Sequence, residues 1–142
     1  MTIEILKQSD ITSALQNQVS ELFKQLSNRK QIELAEVLKP ENQVSLVYCM
    51  ENEKVIGIAS MCFYRVISGY KGWIEDVVVD AEARGKGVGK KLIEKLLEVA
   101  KEKGLTEVLL FTEDHRVSAI NLYQKLGFKL KDSRIYVLNA VK

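Results

Sequence analysis

The sequence predicts a mixed α/β fold built as one domain over residues 1–142, and three observations carry that reading. Short β-branched runs alternate with amphipathic helical stripes along the chain. Residues 73–112 run strand, helix, strand, the pattern of a βαβ unit with a right-handed crossover. The length of 142 residues is near the modal size of a domain and sufficient for a full core, and no Pro/Gly/Ser-rich linker, repeat or low-complexity segment divides it.

The elements follow in order. Thr2–Lys7 alternates Ile3 and Ile5 with polar neighbours and predicts a first strand. Ser9 and Asp10 are N-cap residues ahead of the helical stripe Ile11, Leu15, Val19, Leu22, Phe23 and Leu26. A short second helix over Ile32–Leu38 ends before Pro40. Val44–Met50 and Val55–Arg65 read as strands joined by the polar turn Glu51–Lys54. Trp73–Val79 is a further strand, its Val77–Val78–Val79 run suited to burial on both faces. A helix opens at Gly87, carries Val88, Leu92, Ile93, Leu96, Leu97 and Ala100, and stops at Gly104. Val108–Phe111 is a strand. The helix Val117–Leu126 ends at Gly127, with Phe128 in the C″ position of a Schellman cap. Lys129–Lys131 and Arg134–Val141 are read as two closing strands.

Composition removes several functions. Hydrophobic residues at 46% and charged residues at 28% describe an ordinary globular chain, and no apolar run approaches the roughly 20 residues that span a bilayer. MTIEILKQSD has neither a basic n-region nor a long apolar h-region, so a cytoplasmic protein is expected. A formal charge of +2 is too mild for a general nucleic-acid binder. Neither a nucleic acid nor a membrane is expected as partner, and a homodimer is left open. If Asn52 and Glu53 form the hairpin tip, Cys49 lies opposite Ile56 and away from Cys62, so both cysteines are expected as buried free thiols. One histidine, His115, and no CxxC leave no metal site to expect.

The most informative segment is Arg84-Gly85-Lys86-Gly87-Val88-Gly89-Lys90-Lys91, which follows a buried strand and opens a helix. Alternating glycines let backbone N–H groups approach a ligand closely. Arg84, Lys86, Lys90 and Lys91 place four positive charges at a helix N-terminus, where the macrodipole favours anions. A bound polyanion offsets that mismatch; the alternative is a tight turn with a solvated charge run. The dinucleotide fingerprint fails because Lys90 and Leu92 stand where glycine is needed, and a P-loop fails at Arg84 and Lys91.

With these residues the sequence resembles the GNAT superfamily of acyl-CoA-dependent N-acyltransferases. Arg84-Gly85-Lys86-Gly87-Val88-Gly89 is similar to its [QR]-x-x-G-x-[GA] pyrophosphate loop, and Val77–Val79 to the strand before it. Asn121-Leu122-Tyr123-Gln124-Lys125-Leu126-Gly127-Phe128 is similar to its tyrosine-bearing helix ending in Gly-Phe. The resemblance covers essentially the whole chain. It implies a single-domain GNAT-like fold, with a central twisted mixed sheet flanked by about four helices and splayed open between the strands at 73–79 and 107–112. Acetyl-CoA is the implied co-substrate, and no metal is implied. Its pantetheine arm would pair with the backbone around Val77, Val78 and Val79, and its pyrophosphate would lie on Arg84, Gly85, Lys86, Gly87, Val88, Gly89 and Lys90.

The implied chemistry has three requirements. A base must free the amine of its proton, an N–H must face the developing oxyanion, and an acid must meet the departing thiolate. The oxyanion donor is expected near Val77. Tyr123 is the family-matched acid; taken alone, a tyrosine beside Ile120 and Leu126 reads as a core residue, and the match to the family helix reverses that. Glu75 and Asp76 are candidate bases, with an ordered water as the alternative. Being adjacent, the two point to opposite faces of a strand, and regular alternation puts Glu75 with Trp73, Val77 and Val79. Either carboxylate could instead be a strand-end charge paired with Lys71 or Arg65.

Gly72-Trp73-Ile74-Glu75-Asp76-Val77-Val78-Val79 also resembles the matching strand of eukaryotic glucosamine-6-phosphate N-acetyltransferases, which points to an amino-sugar acceptor. Two positions depart from the family pattern: Ala81 replaces a common proline, and Arg116 stands where many members have asparagine. Arg116 is left between a phosphate contact and a helix start, and His115 is read as a surface-loop residue. The leading function is acetyl transfer from acetyl-CoA to a primary amine of a small molecule. A protein or peptide N-acetyltransferase and a non-catalytic CoA-binding module are the alternatives. Acceptor walls are expected from Gln25–Leu38, a Tyr64–Trp73 loop and Glu113–Arg116.

Overall fold

A computed structural model describes residues 1–140. The chain divides into two compact units, Met1–Phe111 and the residues from Thr112 onward. The first holds a five-stranded mixed sheet in the order β1 (Thr2–Ile5), β2 (Val44–Glu51), β3 (Lys54–Val66), β4 (Gly69–Val79) and β5 (Glu107–Leu110). All neighbours are antiparallel except β4 and β5, which run parallel through α3 (Val88–Lys103), the expected βαβ unit.

Helix α1 (Ser13–Phe23) starts later than Ser9 and Asp10 suggest. Those residues form a separate 3-10 turn, Gln8–Asp10, and Thr12 caps α1 by accepting from the Leu15 N–H at 3.1 Å. Helix α2 is one turn, Leu34–Val37, before Pro40. The β2–β3 hairpin turns at Asn52 and Glu53, both with positive φ (52° and 64°), which matches the right-handed twist of the strands. An extra residue at Ile56 shifts the register, so Cys49 faces Gly57, and Cys62 faces Val44. Both cysteines are free thiols, Cys49 buried and Cys62 half-buried.

The two faces of the sheet are covered by different helices. On one, Leu15, Val19 and Leu22 of α1 join Leu6, Leu34, Leu46, Val55, Ile58 and Val78 in the core. On the other, α3 buries Val88, Leu92, Ile93, Leu96, Val99 and Ala100; Val88 and Leu92 pack against Gly57 there. The expected Tyr64–Trp73 loop is instead strand: β3 runs to Val66, β4 begins at Gly69, and only Ile67 and Ser68 turn between them.

In the second unit, α4 (Val117–Lys125) is the only regular element among the described residues. The two closing strands are not formed: 129–131 and 134–140 are irregular, and Val141 lies outside the described residues. Apolar patterning proposes a strand, but a strand needs a neighbour for its N–H and C=O groups. The unit offers none, and Leu130, Ile135, Tyr136, Val137 and Leu138 are exposed.

Candidate active site

Two residues of β4 oppose one residue of β3. Ser60 pairs with Glu75 and Ile58 with Val78, which leaves Ala59 facing both Asp76 and Val77. This β-bulge puts Asp76 at φ 54°, a left-handed conformation that aspartate tolerates better than most residues. It also corrects the alternation expected from the sequence. The extra residue brings Val78 to the face of Glu75 and Trp73, and sends Val79 to the opposite face with Gly57.

The same stretch lies at an opening of the sheet. β4 and β5 pair from Lys71–Glu107 to Ile74–Leu110 and no further. Beyond Ile74, β4 has β3 on one side and, among the described residues, no strand on the other. The backbone around Val77 and Val79 is thus available to an extended ligand, which can add to it as a strand would.

Glu75 and Asp76 are both exposed. Even so, the surrounding protein desolvates each carboxyl and raises it above the ordinary carboxylate range, and the charge of Asp76 adds to the rise at Glu75. The cations that could have neutralised them are engaged elsewhere. Lys71 lies 3.8 Å from Glu107, and Arg65 stacks over the Tyr70 ring at 3.9 Å. A carboxylate shifted upward is a better match for taking a proton from an amine.

At the end of β4, Asp80 is 7% exposed and anchors the turn that follows. Its N–H donates to the Ile56 carbonyl at 2.8 Å. Its carboxylate accepts from Lys54 Nζ at 3.1 Å, from the Glu82 N–H at 3.2 Å and from Gln25 Nε2 at 3.3 Å. These bonds hold the carboxyl below its ordinary value, Lys54 contributing most. Gln25 Oε1 in turn accepts from the Ala81 N–H at 3.0 Å.

The chain then enters Arg84–Gly87. Gly85 and Gly87 have φ of 82° and 79°, and a Cβ at either would meet nothing within 4 Å. Glycine serves conformation and open approach here, not packing. Gly87 offers α3 no side-chain cap, and the first turn of α3 carries no acidic residue. The first helical bond is the Lys91 N–H to the Gly87 carbonyl, 3.1 Å, so the amides of Val88, Gly89 and Lys90 have no intrahelical acceptor. Arg84, Lys86 and Lys90 are exposed around them. Lys86 is 3.7 Å from Glu51 across an open surface, a weak pair that leaves the field positive. Bare amides, a helix N-terminus and three cations fit a pyrophosphate.

Tyr123 belongs to the second unit and is set by the end of α4. The Gly127 N–H donates to the Gln124 carbonyl (3.1 Å) and the Phe128 N–H to the Tyr123 carbonyl (3.0 Å), the two bonds of the expected Schellman cap. The Phe128 ring meets the Tyr123 ring edge-on at 6.0 Å. Burial pushes the half-buried phenol above its ordinary value, partly opposed by Arg116, so Tyr123 is a protonated donor at neutral pH. Arg116 occupies the N-cap position of α4. His115 is exposed, with Nδ1 3.3 Å from Glu113.

The model of the Acetyltransferase (GNAT) family matches residues 9–128. The chain belongs to that family. This acetyltransferase is 30% identical over 141 residues to the glucosamine 6-phosphate N-acetyltransferase of Trypanosoma brucei brucei, covering 95% of this chain and 93% of that protein. Its structure is similar to the glucosamine-6-phosphate N-acetyltransferase of Arabidopsis thaliana, with TM-score 0.80, 25% identity and 97% of each chain covered. An aminoglycoside acetyltransferase from an uncultured soil metagenomic sample shares the fold at TM-score 0.83 and 21% identity, covering 99% of this chain and 96% of that one. The acetyltransferase is therefore an acetyl-CoA-dependent N-acyltransferase with a mixed α/β fold. Among the described residues no helix is long and apolar enough to cross a membrane.

Two side chains near Glu75, Ser60 and Cys62, were not placed there from the acetyltransferase sequence. Ser60 and Cys62 on β3 and Trp73 on β4 share the face of Glu75, because Ser60 pairs with Glu75 and Cys62 with Trp73. Alternation along β4 already put Trp73 with Glu75; only the register with β3 adds Ser60 and Cys62.

Proposed function

We propose that this acetyltransferase moves the acetyl group of acetyl-CoA directly to the primary amine of a phosphorylated amino sugar, with residues 1–142 acting as one domain in the cytoplasm. The observation that carries the reading is the likeness to glucosamine 6-phosphate N-acetyltransferase over 95% of the chain. The two free thiols agree with a reducing compartment.

Each residue then has a task. The amides of Val88, Gly89 and Lys90, with Arg84, Lys86 and Lys90, hold the pyrophosphate, and Gly85 and Gly87 shape that turn. The backbone of Val77–Val79 pairs with the pantetheine arm. Glu75, directly or through a water with Asp76 beside it, takes the proton of the ammonium so that nitrogen can attack the thioester carbon. The N–H near Val77 donates to the thioester oxygen as negative charge builds on it. Tyr123 gives its proton to the sulfur as the C–S bond breaks. As the amide forms, its nitrogen gives up its second proton to solvent. The amide and the free thiol leave, Glu75 returns its proton to solvent and Tyr123 regains one, so each turnover releases one proton.

The test is a panel of amino sugars, simple amines and peptides read by thiol release. Glucosamine 6-phosphate should show a kcat/KM at least about tenfold above glucosamine and above every peptide, a difference of about 1.4 kcal/mol in transition-state stabilisation. Preferred acetylation of a peptide N-terminus or lysine would overturn the reading.

A further inference from the structure

Trp73 Nε1 is buried and has no hydrogen-bond partner among the described residues. A buried indole N–H nearly always finds an acceptor, so an orphan donor calls for an explanation. The backbone of Trp73 is satisfied: its carbonyl lies 3.6 Å from Cys62 Sγ, and the residue sits in register between Cys62 on β3 and Leu109 on β5. Its ring is braced edge-on against Phe111, centroids 5.9 Å apart. The backbone is paired on both sides and Phe111 braces the ring, so the one polar atom of the side chain is the group left over.

Its position gives that atom a use. Trp73 lies two residues before Glu75 on the same face of β4, immediately ahead of the bulge, where pairing with β5 ends one residue later at Ile74. Residues two apart on a strand are roughly 6.6 Å apart along it. An acceptor whose nitrogen is held at Glu75 therefore has its neighbouring atoms within one such step of Trp73 along the strand. A donor without a partner gains a bond only from a ligand that brings an oxygen to it, so it favours an oxygen-bearing ligand over a hydrocarbon one.

We propose that Trp73 is a specificity-determining residue: its indole N–H donates a hydrogen bond to a hydroxyl or ring oxygen next to the reacting amine of the acceptor. The inference rests on the amino-sugar reading above and adds the residue that recognises the sugar oxygen. It predicts selection against amines of similar size whose neighbouring carbons bear no oxygen.

Trp73 is the only tryptophan in the sequence, so its fluorescence reports the contact directly. Glucosamine 6-phosphate should change the emission of the full-length protein saturably, with a midpoint near its dissociation constant. Trp73→Phe, which keeps the ring and removes the donor, should raise KM for glucosamine 6-phosphate about tenfold and leave acetyl-CoA affinity within a factor of about two. Trp73→His, which restores a ring N–H, should recover part of that loss. Wild-type turnover of glucosamine 6-phosphate with flat emission, or with an unchanged KM in Trp73→Phe, would overturn the Trp73 contact alone. Equal losses in Trp73→Phe and Trp73→His, together with equally lowered melting temperatures, would make Trp73 a packing residue and overturn it too. Absence of wild-type turnover and of any emission change would overturn both the amino-sugar reading and this one.

Discussion

Gly87 and Gly104 provide a matched pair of perturbations at opposite ends of α3. Both are left-handed (φ 79° and 74°), and a Cβ at either would meet nothing within 4 Å. Alanine at each therefore costs the same backbone strain with no clash, roughly 1–2 kcal/mol, or a fall of roughly 2–8 °C in melting temperature for a chain of this size. Only Gly87 lies beside the bare amides of Val88, Gly89 and Lys90. Losing one charge-assisted amide bond there costs about 1.5–3 kcal/mol, a roughly ten- to hundredfold rise in Kd for acetyl-CoA. The assay is thermal melting with acetyl-CoA at 100 times the wild-type Kd. Wild type and Gly104→Ala should each gain about 2.7 kcal/mol, whereas Gly87→Ala should gain only about 0.4–1.4 kcal/mol. Equal gains in the two variants would refute the assignment of the turn to phosphate binding.

Three further variants test the remaining assignments. Arg84→Ala with Lys90→Ala should weaken binding of CoA while leaving pantetheine affinity nearly unchanged by calorimetry; equal losses for both ligands would mean the cations support the turn and not the phosphates. Glu75→Gln should lower kcat/KM roughly 10²–10⁴-fold, and the acidic limb of the wild-type pH–rate profile should lie above the ordinary carboxylate range. Because folding raises the Glu75 carboxyl, its contribution to stability is present in acid and is lost as pH rises through the folded value. The melting temperature of Glu75→Gln relative to wild type should therefore be higher at pH 7 than at pH 4, and the opposite order would contradict the shift. Tyr123→Phe should cut single-turnover chemistry roughly 10²–10⁴-fold with acetyl-CoA affinity held within a small factor; loss of affinity instead would make the hydroxyl a ground-state contact.

Much of the fold was legible because local chemistry decides it. Gly87 and Gly104 bracket α3, the tyrosine helix ends on Gly127 and Phe128 as its cap requires, and Asn52–Glu53 turns the first hairpin. The turn proposed to hold phosphate could be picked out for the same reason, since its glycines and cations are contiguous. What was not legible depends on partners distant in sequence. The bulge at Asp76 and Val77 is a mismatch between two strands, so regular alternation put Trp73 with Glu75 correctly but placed Val79 on the wrong face, and it could not bring Ser60 and Cys62 of β3 to Glu75. The orphan indole N–H is likewise a property of its surroundings. The strands read at 129–131 and 134–141 failed in the converse way: their residues have strand character, but pairing is a long-range event that no local pattern guarantees.

Direct transfer of acetyl from acetyl-CoA to an amino-sugar amine can be tested in one rapid-mixing experiment. Acetyl-CoA-loaded protein is mixed with excess glucosamine 6-phosphate, and free thiol and N-acetylated sugar phosphate are followed together by mass spectrometry. With direct transfer, both appear in one phase, in equal amounts, and no acetylated protein accumulates when the acceptor is omitted. Thiol released without an equal amount of N-acetylated product, or an acetyl-protein formed before the acceptor is added, would contradict it.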